Sequence, residues 1–191
     1  MAMLSRGAVE LMGFASVGKD IQISDRASFY GVARIVLGDN VRIDDFCVLA
    51  AGVGGIELGR HVHIAVGSTL IGAGKITLSD FSGLSSRVSI YSSSDDYSGA
   101  TMTNPTVPNE YTGVTHADVF LSKHVIVGSG CVILPGVTLE SGVAVGALSL
   151  VSKNCKAFGI YAGNPARRIS ERRRDLLELE LRFMASKAKQ T

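Results

Sequence analysis

Residues 121–151 read LSKHVI VGSGCV ILPGVT LESGVA VGALSL V, and this stretch decides the fold. An aliphatic residue opens every sixth position, at Leu121, Val127, Ile133, Leu139, Val145 and Val151. The fifth position of each unit is small or β-branched: Val125, Cys131, Val137, Val143, Ser149 and Cys155. A period of six fits neither an α-helix nor a single strand, and fixed periods of this kind are typical of repeat architectures.

The same rhythm extends upstream to about Ile21. Most steps are six residues long, and short steps of two occur at Ile35–Leu37, Ile56–Leu58 and Ile76–Leu78. Three hexads plus about two residues therefore form one unit. This predicts an all-β solenoid with three short strands and three tight corners per rung, in which each rung buries its inner face against the next. A β-sandwich is less well supported, because it would show period-two alternation.

Composition and charge exclude several classes of function. The chain has 191 residues, with 22 glycines, no tryptophan and a formal net charge of +2. A net charge this small does not indicate binding to nucleic acid. We find no signal peptide at the start and no apolar run long enough to cross a membrane, so we expect a cytoplasmic protein without stable membrane insertion.

The cysteines and histidines do not suggest a metal site. Cys47, Cys131 and Cys155 occupy the same fifth slot of the hexad, which predicts small buried core residues rather than ligands or nucleophiles. No pair of histidines has metal-ligand spacing, so no metal is predicted. Three histidines lie at corners of the predicted coil, and we interpret them as solvated polar residues: His61, His63 and His124.

Two segments interrupt or end the coil. Residues 92–118 are polar and aperiodic, and a long irregular loop within a solenoid is typical of a binding site. After residue 168 the apolar spacing predicts an amphipathic helix. We therefore divide the chain into an N-terminal cap (1–20), a β-helix with its inserted loop (21–168) and a C-terminal helix (169–191).

These features resemble the hexapeptide-repeat acyltransferases, in the branch that acetylates sugars on oxygen or nitrogen. The resemblance covers about 21–169 and is most specific at its end, where VGALSLVSK (145–153) is followed by AGNPAR (162–167). It implies a left-handed parallel β-helix and a homotrimer with active sites between neighbouring coils. It also implies acetyl-CoA as the acyl donor.

The resemblance assigns the donor to the last rungs of the coil. Its pantetheine arm is expected along the corner residues Gly128, Ser129, Gly146 and Ala147, where small residues permit close approach to the main chain. The resemblance also implies that Asn164 and Pro165 contact CoA. Positive side chains are expected at the CoA phosphates: Lys153, Arg167 and Arg168.

The expected catalytic base is replaced. The family carries a histidine just after the hexads that precede the loop, and here that place is Asp95. A carboxylate is a poor base for a hydroxyl at neutral pH but is suited to orient an amino group. We therefore expect Asp95 to be catalytic, with Asp96 and Tyr97 as acceptor contacts. His116, at the end of the loop, is the alternative base.

The sequence thus predicts an acetyl-CoA-dependent enzyme that N-acetylates a nucleotide-linked amino sugar for surface polysaccharide, such as O-antigen. One alternative is sugar O-acetylation with His116 as the base. Another is a trimeric scaffold without activity, although the intact AGNPAR segment argues against it.

Overall fold

A computed structural model describes residues 2–188, and the description below refers to that part of the chain. The strands wind around three flat faces that meet at three corners. Face 1 contains six parallel strands in chain order: Ser16–Val17, Ile35–Leu37, Ile56–Leu58, Ile76–Leu78, Val119–Leu121 and Thr138–Leu139. The predicted parallel solenoid is confirmed.

The other two faces follow the same pattern. Face 2 contains Gln22–Ile23, Arg42–Ile43, His63–Ile64, Gly83–Leu84, Ile126–Val127, Ala144–Val145, Gly159–Ala162 and Arg167–Glu171. Face 3 contains Ser28–Tyr30, Val48–Ala51, Thr69–Gly72, Ser89–Tyr91, Val132–Ile133 and Leu150–Val151. We number the corners by the faces they join, so that the 2/3 corner follows face 2 and the 3/1 corner follows face 3.

The core consists of the aliphatic residues that open the hexads. In the central rungs, residues such as Ile64, Leu70 and Ile90 have no exposed surface. The three cysteines are free and buried among them, as their hexad slot predicts. Burial raises the pKa of the Cys155 thiol to about 11, so this thiol is not activated as a nucleophile.

The loop leaves the coil at the 3/1 corner. Its base is a short antiparallel pair formed by Ser93–Ser94 and Thr115–His116, and its tip contains a 3₁₀ turn at Asn109–Tyr111. Ser92 is buried where the loop departs, and its hydroxyl donates to the Gly74 carbonyl oxygen at 2.7 Å. The two ends of the loop are therefore held together, and face 1 resumes at Val119 in register with Ile76.

Both predicted terminal boundaries need correction. The N-terminal segment contains the helix Arg6–Leu11, but Ser16–Val17 already pairs with face 1, so the coil starts inside the predicted cap. At the other end, Arg167–Glu171 pairs antiparallel with Gly159–Ala162 and covers the last strand edge of face 2. The C-terminal helix therefore begins at Asp175, and residues 1 and 189–191 lie outside the described part.

The C-terminal helix, Asp175–Ala188, lies on the corner between faces 1 and 2. Successive corner residues stack there, with the ring centroids of His61 and Phe81 4.9 Å apart and those of Phe81 and His124 5.2 Å apart. Phe183 of the helix meets this stack edge-on. Within the described residues, no helix combines the length and apolar character needed to cross a membrane.

Candidate active site

The loop and face 3 enclose a cleft of about 630 Å³, which we call the loop cleft. Its floor is apolar and comes from the outward side chains of the last rungs, including Val132, Leu134 and Leu150. Its polar wall comes from the start of the loop. The lining residues are Tyr91, Ser93, Ser94, Asp95, Tyr97, Val132, Leu134, Pro135 and Leu150.

Asp95 stands on the polar wall of the loop cleft and is exposed. Within residues 2–188, no side chain or main-chain N–H donates to its carboxylate. Its carbonyl oxygen accepts a hydrogen bond from Ser94 Oγ at 3.1 Å, which fixes the backbone beside the carboxylate. The carboxylate is therefore available to accept a hydrogen bond from a bound molecule.

Asp96 has a different environment, although it is adjacent in sequence. One carboxylate oxygen accepts from the Ser98 N–H at 2.8 Å, and the other accepts from the N–H and hydroxyl of Thr101 at 2.8 and 3.0 Å. The hydrogen bonds from Ser98 and Thr101 hold the pKa of Asp96 well below its usual range. This geometry favours a role in ordering the loop over the acceptor contact that we expected. The neighbouring side chain of Tyr97 is exposed and lines the cleft.

His116 lies at the base of the loop and is absent from the lining of the loop cleft. Its Nδ1 is 2.8 Å from Ser93 Oγ, and that oxygen also accepts the Ala73 N–H at 2.7 Å. Since a hydroxyl that accepts from a main-chain N–H keeps its own proton to donate, Ser93 is suited to donate to His116 Nδ1. His116 and Ser93 both belong to the loop, and Ser93 joins the pair to the coil through the Ala73 N–H.

A second depression follows the 2/3 corner, and we call it the corner groove. It has two parts that share Ser86 and Ser129. One part lies on face 2 and is lined by His63, Ala65, Gly83, Leu84, Ser85, Ser86, Ile126 and Ser129. The other lies on the corner itself and is lined by Val66, Ser86, Arg87, Ser129, Gly130, Ala147 and Leu148.

The structure places the expected CoA residues of the last rungs on or beside this groove. Ser129 and Ala147 line it, and Gly128 and Gly146 stack above one another on successive rungs. A Cβ on Gly128 would lie 2.5 Å from the Ala147 main-chain nitrogen, so only glycine permits this stacking. The next rung thus fills the space beside Gly128, whereas Ser129 and Ala147 are exposed at this corner and can be reached by a ligand.

The Asn164-Pro165 turn is fixed against the end of face 3. Its peptide bond is cis. The Gly163 N–H donates to Ser149 Oγ at 3.0 Å, and the Leu150 N–H donates to the Gly163 carbonyl oxygen at 3.0 Å. Leu150 also lines the loop cleft, so the turn stands beside that cleft.

The three cations expected at the CoA phosphates do not form one cluster. Lys153 follows face 3 and projects at the 3/1 corner, on the opposite edge of face 3 from Ala147. Arg168 forms an ion pair with Glu171 on the outer strand of face 2. Arg167 is exposed on that same strand and donates to the Ala166 carbonyl oxygen at 3.1 Å.

The corner groove contains three polar groups that the sequence pattern did not predict as site residues. His63 is not merely solvated, because its Nε2 lies 2.9 Å from the buried Asp44 carboxylate. Ser85 and Arg87 also line the groove. The available signal was the Ser85-Ser86-Arg87 corner itself, which replaces the small residues found at Gly128-Ser129-Gly130.

His124 is likewise not a solvated corner residue. Its side chain is mostly buried, and its Nε2 lies 2.7 Å from Glu180 of the C-terminal helix. It therefore has a structural partner far from both clefts. Within residues 2–188, no three His, Cys, Asp or Glu side chains lie together in an arrangement that could hold a metal ion.

Comparison with known proteins identifies a full-length relative. No protein-family model matches the chain. The chain is 54% identical over 186 residues to the dTDP-4-amino-4,6-dideoxy-D-glucose acyltransferase of Escherichia coli, and the alignment covers 97% of each sequence.

Among solved structures, the chain is similar over nearly its whole length to an N-acyltransferase. AntD, an N-acyltransferase from Bacillus cereus, was solved with dTDP and 3-hydroxybutyryl-CoA; it is 42% identical, matches 97% of this chain and 98% of its own, and superimposes with a TM-score of 0.94. A variant of AntD was solved with dTDP-4-amino-4,6-dideoxyglucose and coenzyme A, with a TM-score of 0.93 and 41% identity over 97% of this chain and 98% of that one.

Proposed function

Because this chain belongs to the hexapeptide-repeat acyltransferases of the left-handed β-helix fold, in the group that acylates nucleotide-linked amino sugars, we propose that its acceptor is dTDP-4-amino-4,6-dideoxy-D-glucose. The enzyme uses an acyl-CoA as donor and transfers the acyl group to nitrogen. We propose acetyl as the acyl group. The 54% identical relative is named for an amino sugar, and a variant of AntD was solved with the same amino sugar, which disfavours O-acetylation and an inactive scaffold.

The observation that carries the proposal is the environment of Asp95. Its carboxylate stands on the polar wall of the loop cleft, and no donor within the described residues reaches it. An amino group has N–H donors that a carboxylate accepts well, and an ammonium forms a charge-assisted hydrogen bond with it. His116, which would serve as a base toward a hydroxyl, is instead bonded to Ser93.

The solved relative supports this assignment. Variants of AntD were made at one serine and at one aspartate ten positions further along its chain. Ser85 and Asp95 are the same two residue types at the same spacing here. We therefore propose Asp95 as the contact to the acceptor nitrogen and add Ser85 as a second polar residue of the site.

In the reaction the neutral amino nitrogen attacks the thioester carbonyl carbon. The C–N bond forms, the C–S bond breaks, and the proton released by nitrogen goes to the departing sulfur. Asp95 orients the nitrogen, and the apolar floor at Val132, Leu134 and Leu150 keeps water from the thioester. A main-chain N–H polarises the carbonyl oxygen.

The donor is proposed to lie along the 2/3 corner. Gly128, Ser129, Gly146 and Ala147 would hold its pantetheine arm through their main chain, and the Asn164-Pro165 turn would close the end of this path. Arg167, on the adjacent outer strand of face 2, is the better supported phosphate contact. Lys153 and Arg168 are less well supported, because one lies at a different corner and the other is paired with Glu171.

We propose a homotrimer in the cytoplasm that supplies acylated sugar for surface polysaccharide. Apolar side chains such as Tyr30, Ile71 and Tyr91 are exposed on face 3, and large exposed apolar patches are typical of protein interfaces. Light scattering tests the assembly, and a monomer with full activity would contradict it.

The test is a thiol-release assay with acetyl-CoA and dTDP-4-amino-4,6-dideoxyglucose. The matched control is the same nucleotide sugar with a hydroxyl in place of the amino group. We expect turnover of the amino sugar only. Equal turnover of the hydroxyl analogue would indicate O-acylation, and absence of acyl-CoA binding at millimolar concentration would favour a scaffold.

A further inference from the structure

The corner groove contains more polar groups than a path for pantetheine requires. Its two parts meet at the hydroxyl residues Ser86 and Ser129, and Ser85 adds a third serine on the face-2 side. The two parts measure about 330 and 520 Å³. A basic residue lies on one side of the shared serines, and a histidine lies on the other.

Arg87 is the basic residue, and it occupies the corner slot of its rung. Five residues stack along the 2/3 corner in left-handed backbone conformation: Phe46, Gly67, Arg87, Gly130 and Leu148. Arg87 has a φ of 58°, which is strained for a residue with a side chain, and glycines flank it on both neighbouring rungs. The stem of Arg87 lies over Gly67, where an added Cβ would be 3.5 Å from Arg87 Cγ, and Gly130 on the next rung carries no side chain that could cover the guanidinium.

The guanidinium of Arg87 has no ion pair and no side-chain hydrogen bond within residues 2–188. It is exposed, and it lines the groove. An arginine with five donors and no acceptor nearby is well suited to bind an anion, and phosphate matches its planar geometry.

His63 faces the other part of the groove and is held by a buried carboxylate. Asp44 is only 7% exposed, and its two oxygens accept from Arg42 Nε at 2.8 Å and face His63 Nε2 at 2.9 Å. Burial acts to raise the pKa of Asp44, but the bonds from Arg42 and His63 outweigh it and leave the pKa below its usual value. The Asp44 carboxylate therefore fixes the orientation of the imidazole at the edge of the groove.

No aspartate or glutamate lines either part of the groove among the described residues, and the carboxylate of Asp44 is screened by its two partners. None of the three cations expected for phosphate lines the groove: Lys153 lies at the 3/1 corner, Arg168 is paired with Glu171, and Arg167 lies on the outer strand of face 2. We propose that the corner groove binds a diphosphate, with Arg87 on one side, His63 on the other and the hydroxyls of Ser86 and Ser129 between them. This inference rests on the proposed function, because both the nucleotide sugar and CoA carry a diphosphate.

The experiment measures binding by titration calorimetry to the full chain. Three probes are used: dTDP, CoA and inorganic pyrophosphate. The variants are Arg87→Gln and His63→Asn, with Arg87→Lys to retain the charge. Lys19→Gln is the matched control, because Lys19 is an exposed cation of the first rung, outside the groove. Arg87→Gly is a second neutral variant. Glycine adopts the left-handed backbone conformation without strain, so this variant is expected to keep the fold.

We expect Arg87→Gln and Arg87→Gly to raise the dissociation constant of dTDP or of CoA by about fivefold or more, because each variant loses a charged hydrogen bond. His63→Asn weakens the same probe, Arg87→Lys retains part of the affinity, and Lys19→Gln has no effect. The probe that is weakened identifies the source of the diphosphate. Changes below about fivefold for all three probes in both neutral Arg87 variants overturn the proposal.

This test is separable from that of the proposed function. If the enzyme turns over the amino sugar and the Arg87 variants bind all probes with unchanged affinity, the proposed function is supported and diphosphate binding in the corner groove is rejected. Pyrophosphate binding that Arg87→Gln abolishes, in a protein that acylates none of the sugars, supports the groove and rejects the function. If the wild-type chain binds none of the three probes, both are rejected.

Discussion

His116 Nδ1 lies 2.8 Å from Ser93 Oγ, and the same oxygen accepts the main-chain N–H of Ala73 at 2.7 Å. The histidine that the sequence offers as a catalytic base is thus engaged at the base of the loop. The neighbouring Asp95 carboxylate stands in the loop cleft without a donor from the described residues. This difference in partners separates a structural residue from the proposed acceptor contact.

The first prediction compares these two residues. Asp95→Asn should lower kcat/KM for the amino sugar by about 10- to 100-fold, because the amide cannot form a charge-assisted bond to the acceptor nitrogen. His116→Ala should change kcat/KM by less than about threefold at equal folded fraction, because its main contact is structural. Steady-state kinetics checks both, and intact turnover in Asp95→Asn together with its loss in His116→Ala would contradict the role of Asp95 and favour His116 as the base.

The second prediction concerns the packing of the donor corner. Gly128→Ala places a Cβ about 2.5 Å from the Ala147 main-chain nitrogen and should destabilise the chain by about 1–3 kcal/mol. It should also weaken CoA binding, because the corner must shift. Gly7→Ala is the matched control, since nothing lies within 4 Å of its added Cβ and alanine favours the helix there. Thermal unfolding and CoA titration provide the measurements, and equal stability of the two variants would contradict the argument.

The third prediction is a pH dependence of helix docking. Burial acts to raise the pKa of Glu180, but hydrogen bonds from Lys123 and His124 outweigh it, so the pKa lies below its usual value. A carboxyl with a lowered pKa contributes stability above its unfolded pKa of about 4.3, and this stability is lost as the pH falls. Wild-type protein should therefore unfold at a higher temperature than Glu180→Gln at pH 7, and the difference should disappear as the pH falls well below about 4. A difference that stays constant with pH would exclude the ionised carboxylate as its cause.

The fourth prediction tests the aromatic contact of the same helix. The ring of Phe183 meets Phe81 and His61 at centroid distances of 6.2 and 5.3 Å. Phe183→Ala should speed amide hydrogen exchange in the helix and cost about 1–2 kcal/mol, since the site is only partly buried. Leu181→Ala removes a side chain that is 72% exposed and should have little effect. Equal exchange rates in both variants would mean that the helix does not depend on the aromatic stack.

The period of six was sufficient to predict the coil and the position of its loop. It works because every rung must place an aliphatic residue inward at the same point, and residues such as Ile64 and Leu70 obey this rule. The ends were less predictable. The apolar spacing after residue 168 indicated a helix, but Arg167–Glu171 instead pairs with the last exposed edge of face 2, and edge pairing depends on contacts that local spacing does not encode.

The site residues divide in a similar way. The sequence by itself determined the fold, the family resemblance and the position of Asp95 at the start of the loop, because these depend on repeats and on single residues in register. Only the tertiary structure decided which of the neighbouring polar groups are available. In the folded chain Asp96 accepts hydrogen bonds from within the loop, and His116 is hydrogen-bonded to Ser93. Lys153 lies apart from the other expected cations.

The tertiary structure also brought together residues that are distant in the chain. Asp44 and His63 are 19 residues apart, yet stacking of successive rungs places their side chains 2.9 Å from each other. Arg87 and Ser129 share a groove because the long loop between them leaves the coil and returns in register. A solenoid repeats its backbone at every rung, so the hexad fixes where a side chain stands, while its partners are set by the rungs that stack above and below it.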